Sequence, residues 1–215
     1  MYELGQSEKV FNPTKSPELF HPTTKEQRQA NWRIMEKRFT TVTDRLGESM
    51  DERIIEPVVG LSLLGIRTAQ SCEGHLDHGN AYPWISISAK PTPELEKLQE
   101  AERKLYEPNA PYTPDELKVE RVRVHRAITA VAREPNLAEA RKAALLLEEF
   151  YGKHQVPQGQ RLVVTFGPRG DGRLLPQSGE AQENNDQTTK EQMLIKFRQE
   201  MAAFAAFLKS RYIGE

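Results

Sequence analysis

The chain has 215 residues, 37% hydrophobic and 28% charged, enough for one sizeable core and too few to require two domains. Thirty basic residues stand against 31 acidic ones, so no global field draws it to nucleic acid or an anionic membrane. No apolar run approaches the length of a membrane span, and MYELGQSEKV lacks the basic and apolar regions of a secretory signal. A cytoplasmic protein with no membrane partner is expected. The single cysteine, Cys72, excludes an intramolecular disulfide and fits a reducing compartment.

Residues 1–23 carry three prolines and little periodicity, which reads as an extended arm lying over the domain, with Phe11, Leu19 and Phe20 as its anchors, or as a partly disordered one. A single domain is expected over 24–215. Trp32, Met35, Phe39, Val42 and Leu46 recur at steps of three and four, predicting an amphipathic helix capped by Thr24 and ended by Gly47. Ser49 or Asp51 then caps a second helix, apolar almost all round from Ile54 to Leu64, as suits the centre of a fold. Gly65-Ile66 reads as its stop.

Ile66 to Ser71 and Trp84 to Ala89 read as two strands, the second alternating Ile85, Ile87 and Ala89 against Trp84, Ser86 and Ser88. They are expected to pair antiparallel and to carry Cys72 to Pro83 as a loop. Helices follow at Glu94–Tyr106, Pro114–Glu134 and, capped by Asn136, through Tyr151, so that 94–152 forms a helical insertion or layer over the sheet. Arg161 to Phe166 and Arg173 to Leu175 are expected to form a hairpin around the turn GPRGDG. Polar residues 176–189 read as a mobile loop. A final helix, Thr189 to Tyr212, repeats Leu194, Phe197, Met201, Phe204 and Leu208 at helical steps. The fold class is therefore α+β: a small, mainly antiparallel sheet packed by several helices, with long N- and C-terminal ones.

The chemistry concentrates between the first two strands. Cys72, Glu73, His75, Asp77 and His78 place five reactive side chains in seven positions, with Gly74 and Gly79 permitting unusual backbone angles. Three mechanisms fit that cluster. Cys72, His75 and His78 are sulfur and nitrogen donors of the kind zinc accepts, with Asp77 or His154 to complete a shell; the lack of a second Cys or His pair favours an open site over a closed structural one. Alternatively, His75 lowers the pKa of Cys72 for thiol catalysis while Glu73 or Asp77 orients the imidazole. The candidate catalytic residues are thus Cys72, Glu73 and His75. Thirdly, the N–H groups of Glu73, Gly74 and His75 form a cradle for an anionic small molecule, aided by Arg67, Arg169 or Arg173, with Cys72 and Ser71 lining the pocket; Trp84 reads as core in preference to pocket wall. Against all three stands a structural reading: Cys72 is a small buried residue, Glu73 and His75 satisfy turn backbone, and His78 is merely exposed.

The helix bearing Lys118, Arg121, Arg123, His125, Arg126 and Arg133 is interrupted by Glu120 and Glu134, so a solvated face is expected there rather than a nucleic-acid surface. The helical stripes of residues 32–46 and 194–208 supply an alternative function, an interaction or oligomerisation module without catalysis, with a second copy of the chain as partner.

Thr68-x-x-Ser71-Cys72-Glu73-Gly74-His75, followed by Pro83-Trp84, resembles uncharacterised bacterial proteins bearing an SCEGH motif. It is also similar to the T-x-S-C-S-G-R segment of the tRNA wybutosine-synthesising protein family, with Glu73 and His75 standing where that family has serine and arginine. This resemblance implies a role near modified RNA or a methyl donor, and carries over only Ser71, Cys72 and Gly74 as candidates.

Overall fold

A computed structural model describes residues 22–43, 47–107, 111–179 and 186–214. The anchors expected in the N-terminal arm, most of that arm, and Leu46 lie outside the described residues. Among the described residues, five α-helices pack with a four-stranded antiparallel sheet of order β1-β2-β4-β3, an α+β architecture. No helix among the described residues is long and apolar enough to cross a membrane.

Helix α1, Lys25–Thr40, opens on a reciprocal capping box between Thr24 and Gln27 and buries Trp32, Met35 and Phe39. It ends before the predicted stop at Gly47. Thr40 and Thr41 turn their hydroxyls back onto the carbonyls of Lys37 and Arg38, satisfying acceptors that a further turn of helix would have used.

Helix α2, Glu52–Leu63, buries seven of its twelve residues and lies between α1 and the last helix. Its stop is the predicted one. Gly65 takes a φ of +77°, and Ile66, itself buried, donates back to the Leu61 carbonyl at 2.9 Å.

Strands β1, Thr68–Cys72, and β2, Trp84–Ile87, are antiparallel as expected, although β1 begins two residues later and includes Cys72. The register pairs Thr68 with Ile87 and Cys72 with Trp84, with a bulge between Thr68 and Ser71. Ile85 and Ile87 face the core while Trp84 and Ser86 are half-buried, so the two-residue alternation is realised. Strands β3, Leu162–Phe166, and β4, Gly172–Pro176, form the expected hairpin, and β4 also pairs with β2, which joins the two hairpins into one sheet.

Helix α3, Pro93–Lys104, precedes α4, Pro114–Tyr151, one helix of 38 residues where two are predicted. Asn136 therefore caps nothing. It is buried inside α4, where its Oδ1 accepts from the Ala89 amide at 2.9 Å and its Nδ2 donates to the Arg169 carbonyl at 3.0 Å. One amide thus ties the helix to the end of β2 and to the β3–β4 turn. The N-terminal half of α4 forms a separate small core with α3, through Leu95, Leu105, Val124, Ile128 and Ala132. Its C-terminal half enters the main core at Ala143, Leu147 and Phe150 and packs on β3 and β4.

Helix α5, Gln187–Ile213, is capped by Asp186 and starts inside the segment read as a mobile loop; Pro176 at the other end of that segment belongs to β4. The predicted stripe Leu194, Phe197, Met201, Phe204 and Leu208 is buried, chiefly against α2 rather than α1. Helices α1 and α5 meet where Asn31 donates to the Tyr212 hydroxyl at 3.2 Å and Arg28 to the Ile213 carbonyl at 3.3 Å. Buried Glu200 accepts from the Tyr151 hydroxyl at 2.7 Å and lies 3.0 Å from His154 Nε2, fastening the end of α4 to α5.

Candidate functional site

The loop after β1 is held from two sides. Arg198 on α5 donates to the Glu73 carbonyl at 3.0 Å, to Glu73 Oε1 at 2.8 Å and to the Gly74 carbonyl at 2.6 Å. The other carboxylate oxygen of Glu73 accepts from the Arg53 amide at 3.1 Å, at the start of α2. Glu73 thus braces the loop between two helices, with both carboxylate oxygens engaged. Gly74 takes a φ of +84° under the Tyr82–Pro83 backbone, a conformation and a closeness that only glycine tolerates.

This clamping delivers Cys72 and His75 to Asp51, a residue the sequence offered only as a helix cap. Asp51 does precede α2, but its side chain makes no cap bond. Its Oδ2 instead accepts from the Glu73 amide at 2.9 Å and lies 3.3 Å from His75 Nε2. One ligand atom each from Asp51, Cys72 and His75 falls within 4.8 Å of the others, and all three residues are half-buried. A second group, His75, Asp77 and His78, meets the same distance limit on the outer side of the loop. His78 therefore joins His75 but is not in the cluster with Cys72, whose third member is Asp51. His154, considered as a distant ligand, is committed to Glu200 and stacks on Phe150 with ring centres 4.5 Å apart.

The backbone amides of the loop are already spoken for. The Glu73 amide bonds to Asp51, the Gly74 amide points at Cys72 Sγ at 3.3 Å, and the His75 amide donates to the Asn80 carbonyl at 2.9 Å. The predicted anion cradle is therefore filled by the protein's own acceptors. The arginines assigned to it are dispersed. Arg67 donates to the Ser88 hydroxyl and carbonyl and to the Ala89 carbonyl, bracing the end of β2. Arg169 sits by α3 and α4, where it reaches Glu102 at 2.6 Å and His125 at 3.0 Å. Arg173 lies over the Trp84 ring at 4.3 Å, and both donate to Asn80 when its amide oxygen faces them, at 2.7 and 3.2 Å respectively. Trp84 and Arg173 thus brace the loop's far end instead of lining an anion pocket.

Burial raises the Cys72 thiol pKa above its ordinary value, and the negative charges of Asp51 and Glu73 add to this against the opposing Gly74 N–H bond. The imidazole of His75 is turned to Asp51, its Nε2 lying 3.3 Å from Oδ2. Folding holds the thiol proton more tightly than the unfolded chain does, so this contribution to stability is present below the unfolded thiol pKa and lost as pH rises through the raised folded value. In metal-free protein, alkylation of Cys72 by iodoacetamide is expected to follow a pH profile whose midpoint lies above the value of about 8.5 for a free thiol. A midpoint at or below that of a cysteine peptide contradicts this.

Ser71 turns away from Cys72, as neighbours in a strand do. It lines a cavity of about 280 Å³ between α1 and β1, walled by Met35, Phe39, Met50 and Ile66. Asp51, Cys72 and His75 do not line that cavity.

No protein-family profile, curated protein or solved structure matches the chain. What the loop does must be argued from its own atoms.

Proposed function

We propose that Asp51, Cys72 and His75 bind a zinc ion with three protein ligands and one open position, making this a metal-dependent ligand-binding or hydrolytic protein. The observation that carries the reading is the convergence of an imidazole and a thiol from one loop with a carboxylate 21 positions before that thiol, all to within 4.8 Å. The 3.3 Å between Asp51 Oδ2 and His75 Nε2 equals the spacing of about 3.3 Å between two ligands on tetrahedral zinc with bonds near 2.0 Å. The surrounding amides support it as well. The Glu73 N–H on Asp51 and the Gly74 N–H on Cys72 Sγ are the outer hydrogen bonds that orient ligand atoms and offset their negative charge.

Three ligands with an open fourth position suit chemistry rather than a structural staple. Zinc would supply a Lewis acid for a water or for a carbonyl or phosphoryl oxygen. The protein's part is to hold the three donors in place through the Arg198–Glu73 contact. The stripes that motivate a helical interaction module are largely covered within the chain itself, including Trp32, Met35, Phe39, Phe197 and Phe204.

The test is zinc titration of chelator-stripped protein, followed by metal analysis. Wild type is expected to retain one ion per chain and Cys72→Ser to lose it. Wild-type protein that holds no more zinc than a Cys72→Ser, His75→Ala double variant overturns the reading.

A further inference from the structure

His75 belongs to two donor sets at once: an inner one with Asp51 and Cys72 and an outer one with Asp77 and His78. The two differ sharply in exposure. The Asp77 and His78 side chains are 85% and 67% exposed, whereas those of Asp51 and His75 are 29% and 22%. His78 Nδ1 lies 2.9 Å from Asp77 Oδ1, and its ring stacks on His75 with centres 4.2 Å apart. An imidazole and a carboxylate are therefore held together in solvent, directly over the inner site's histidine.

We propose that Asp77 and His78 are a capture site that takes zinc from solution and passes it through His75 to Asp51 and Cys72, an inference that rests on the inner site being the resting place of the ion. Exposed oxygen and nitrogen donors meet a hydrated ion without first opening the loop. The inner set adds a thiolate, the softer ligand, which favours zinc over the all-nitrogen-and-oxygen outer set. The handover is a ligand exchange: the bonds to Asp77 and His78 break, bonds to Asp51 and Cys72 form, His75 remains a ligand, and the Cys72 proton leaves to water. No electron changes hands. His78 must turn out of its stack to bind, and an exposed side chain does so on a picosecond to nanosecond scale.

Stopped-flow zinc loading of the full chain, read with a fluorescent zinc chelator, tests this. His78→Ala is expected to slow loading by about tenfold or more while leaving equilibrium zinc affinity well above that of Cys72→Ser, since no resident ligand is lost. An unchanged rate overturns the proposal, and so does a loss of equilibrium affinity comparable to that of Cys72→Ser, which would make His78 a resident ligand. In a second arm, an Asp51→Asn, Cys72→Ser variant is expected to keep rapid, weak zinc binding that the further change His78→Ala abolishes; absence of that rapid binding also overturns it. A wild-type chain that takes up no zinc at all instead defeats the inner-site reading, so the two failures are told apart.

Discussion

Asp51→Ala is expected to lower zinc affinity by about a hundredfold or more, because it removes one of three ligands and loosens the other two. Asp51 Oδ2 is within bonding distance of both the Glu73 amide and His75 Nε2. Without it the amide loses its acceptor and the imidazole loses the group that sets its direction. Leaving a half-buried donor unpaired adds a stability loss of about 1 kcal/mol. Asp51→Asn separates the two consequences. Its amide oxygen can still accept from Glu73, so stability should stay near wild type, while the neutral ligand should still forfeit most of the zinc affinity. Zinc competition titrations and urea unfolding of the three proteins decide it; equal zinc affinity in all three shows that Asp51 is no ligand.

Gly74→Ala should destabilise the metal-free protein by about 3 kcal/mol or more. Two costs add. A φ of +84° puts an alanine in the left-handed region, and its Cβ would lie 2.6 Å from the Tyr82 carbonyl carbon and 3.0 Å from the Pro83 nitrogen. Both are backbone atoms, which cannot swing aside as the end of a side chain can. Gly79→Ala is the control. Its φ is also positive, at +64°, but nothing lies within 4 Å of the added carbon, so the left-handed penalty alone, about 1 kcal/mol, is expected. The difference in urea midpoint at equal slope measures the backbone contact, and similar losses in the two variants contradict the close packing of Gly74 beneath Tyr82.

Local pattern made much of the scaffold legible. Trp32, Met35 and Phe39 announce α1, Leu194 to Leu208 announce α5, and Ile85 and Ile87 announce the inward face of β2, because periods of 3.6 and two are properties of the backbone itself. The pairing of β2 with β4 was not legible, since it joins residues far apart in the chain. The fusion of two predicted helices into α4 escaped for a related reason. Asn136 is a good capping residue by its local chemistry, yet the Ala89 amide and the Arg169 carbonyl engage its side chain, and no neighbouring residue reveals either.

The candidate site divides in the same way. Cys72, Glu73, Gly74, His75, Asp77 and His78 stand together in sequence, so their presence in one loop follows from the chain alone. Which of them converge does not. Glu73 leaves the set of reactive groups because Arg198, 125 positions away, takes one carboxylate oxygen. Asp51 enters it because α2 begins beside the end of β1, 22 positions before the amide it accepts from. Sequence determined most of the helices, the strands and a loop rich in donors, since these depend on spacing and turn chemistry along a few residues. Tertiary structure alone decided that the loop's cysteine and first histidine meet the aspartate that precedes α2, because a ligand set is a matter of angstroms between elements that only the packed core brings together.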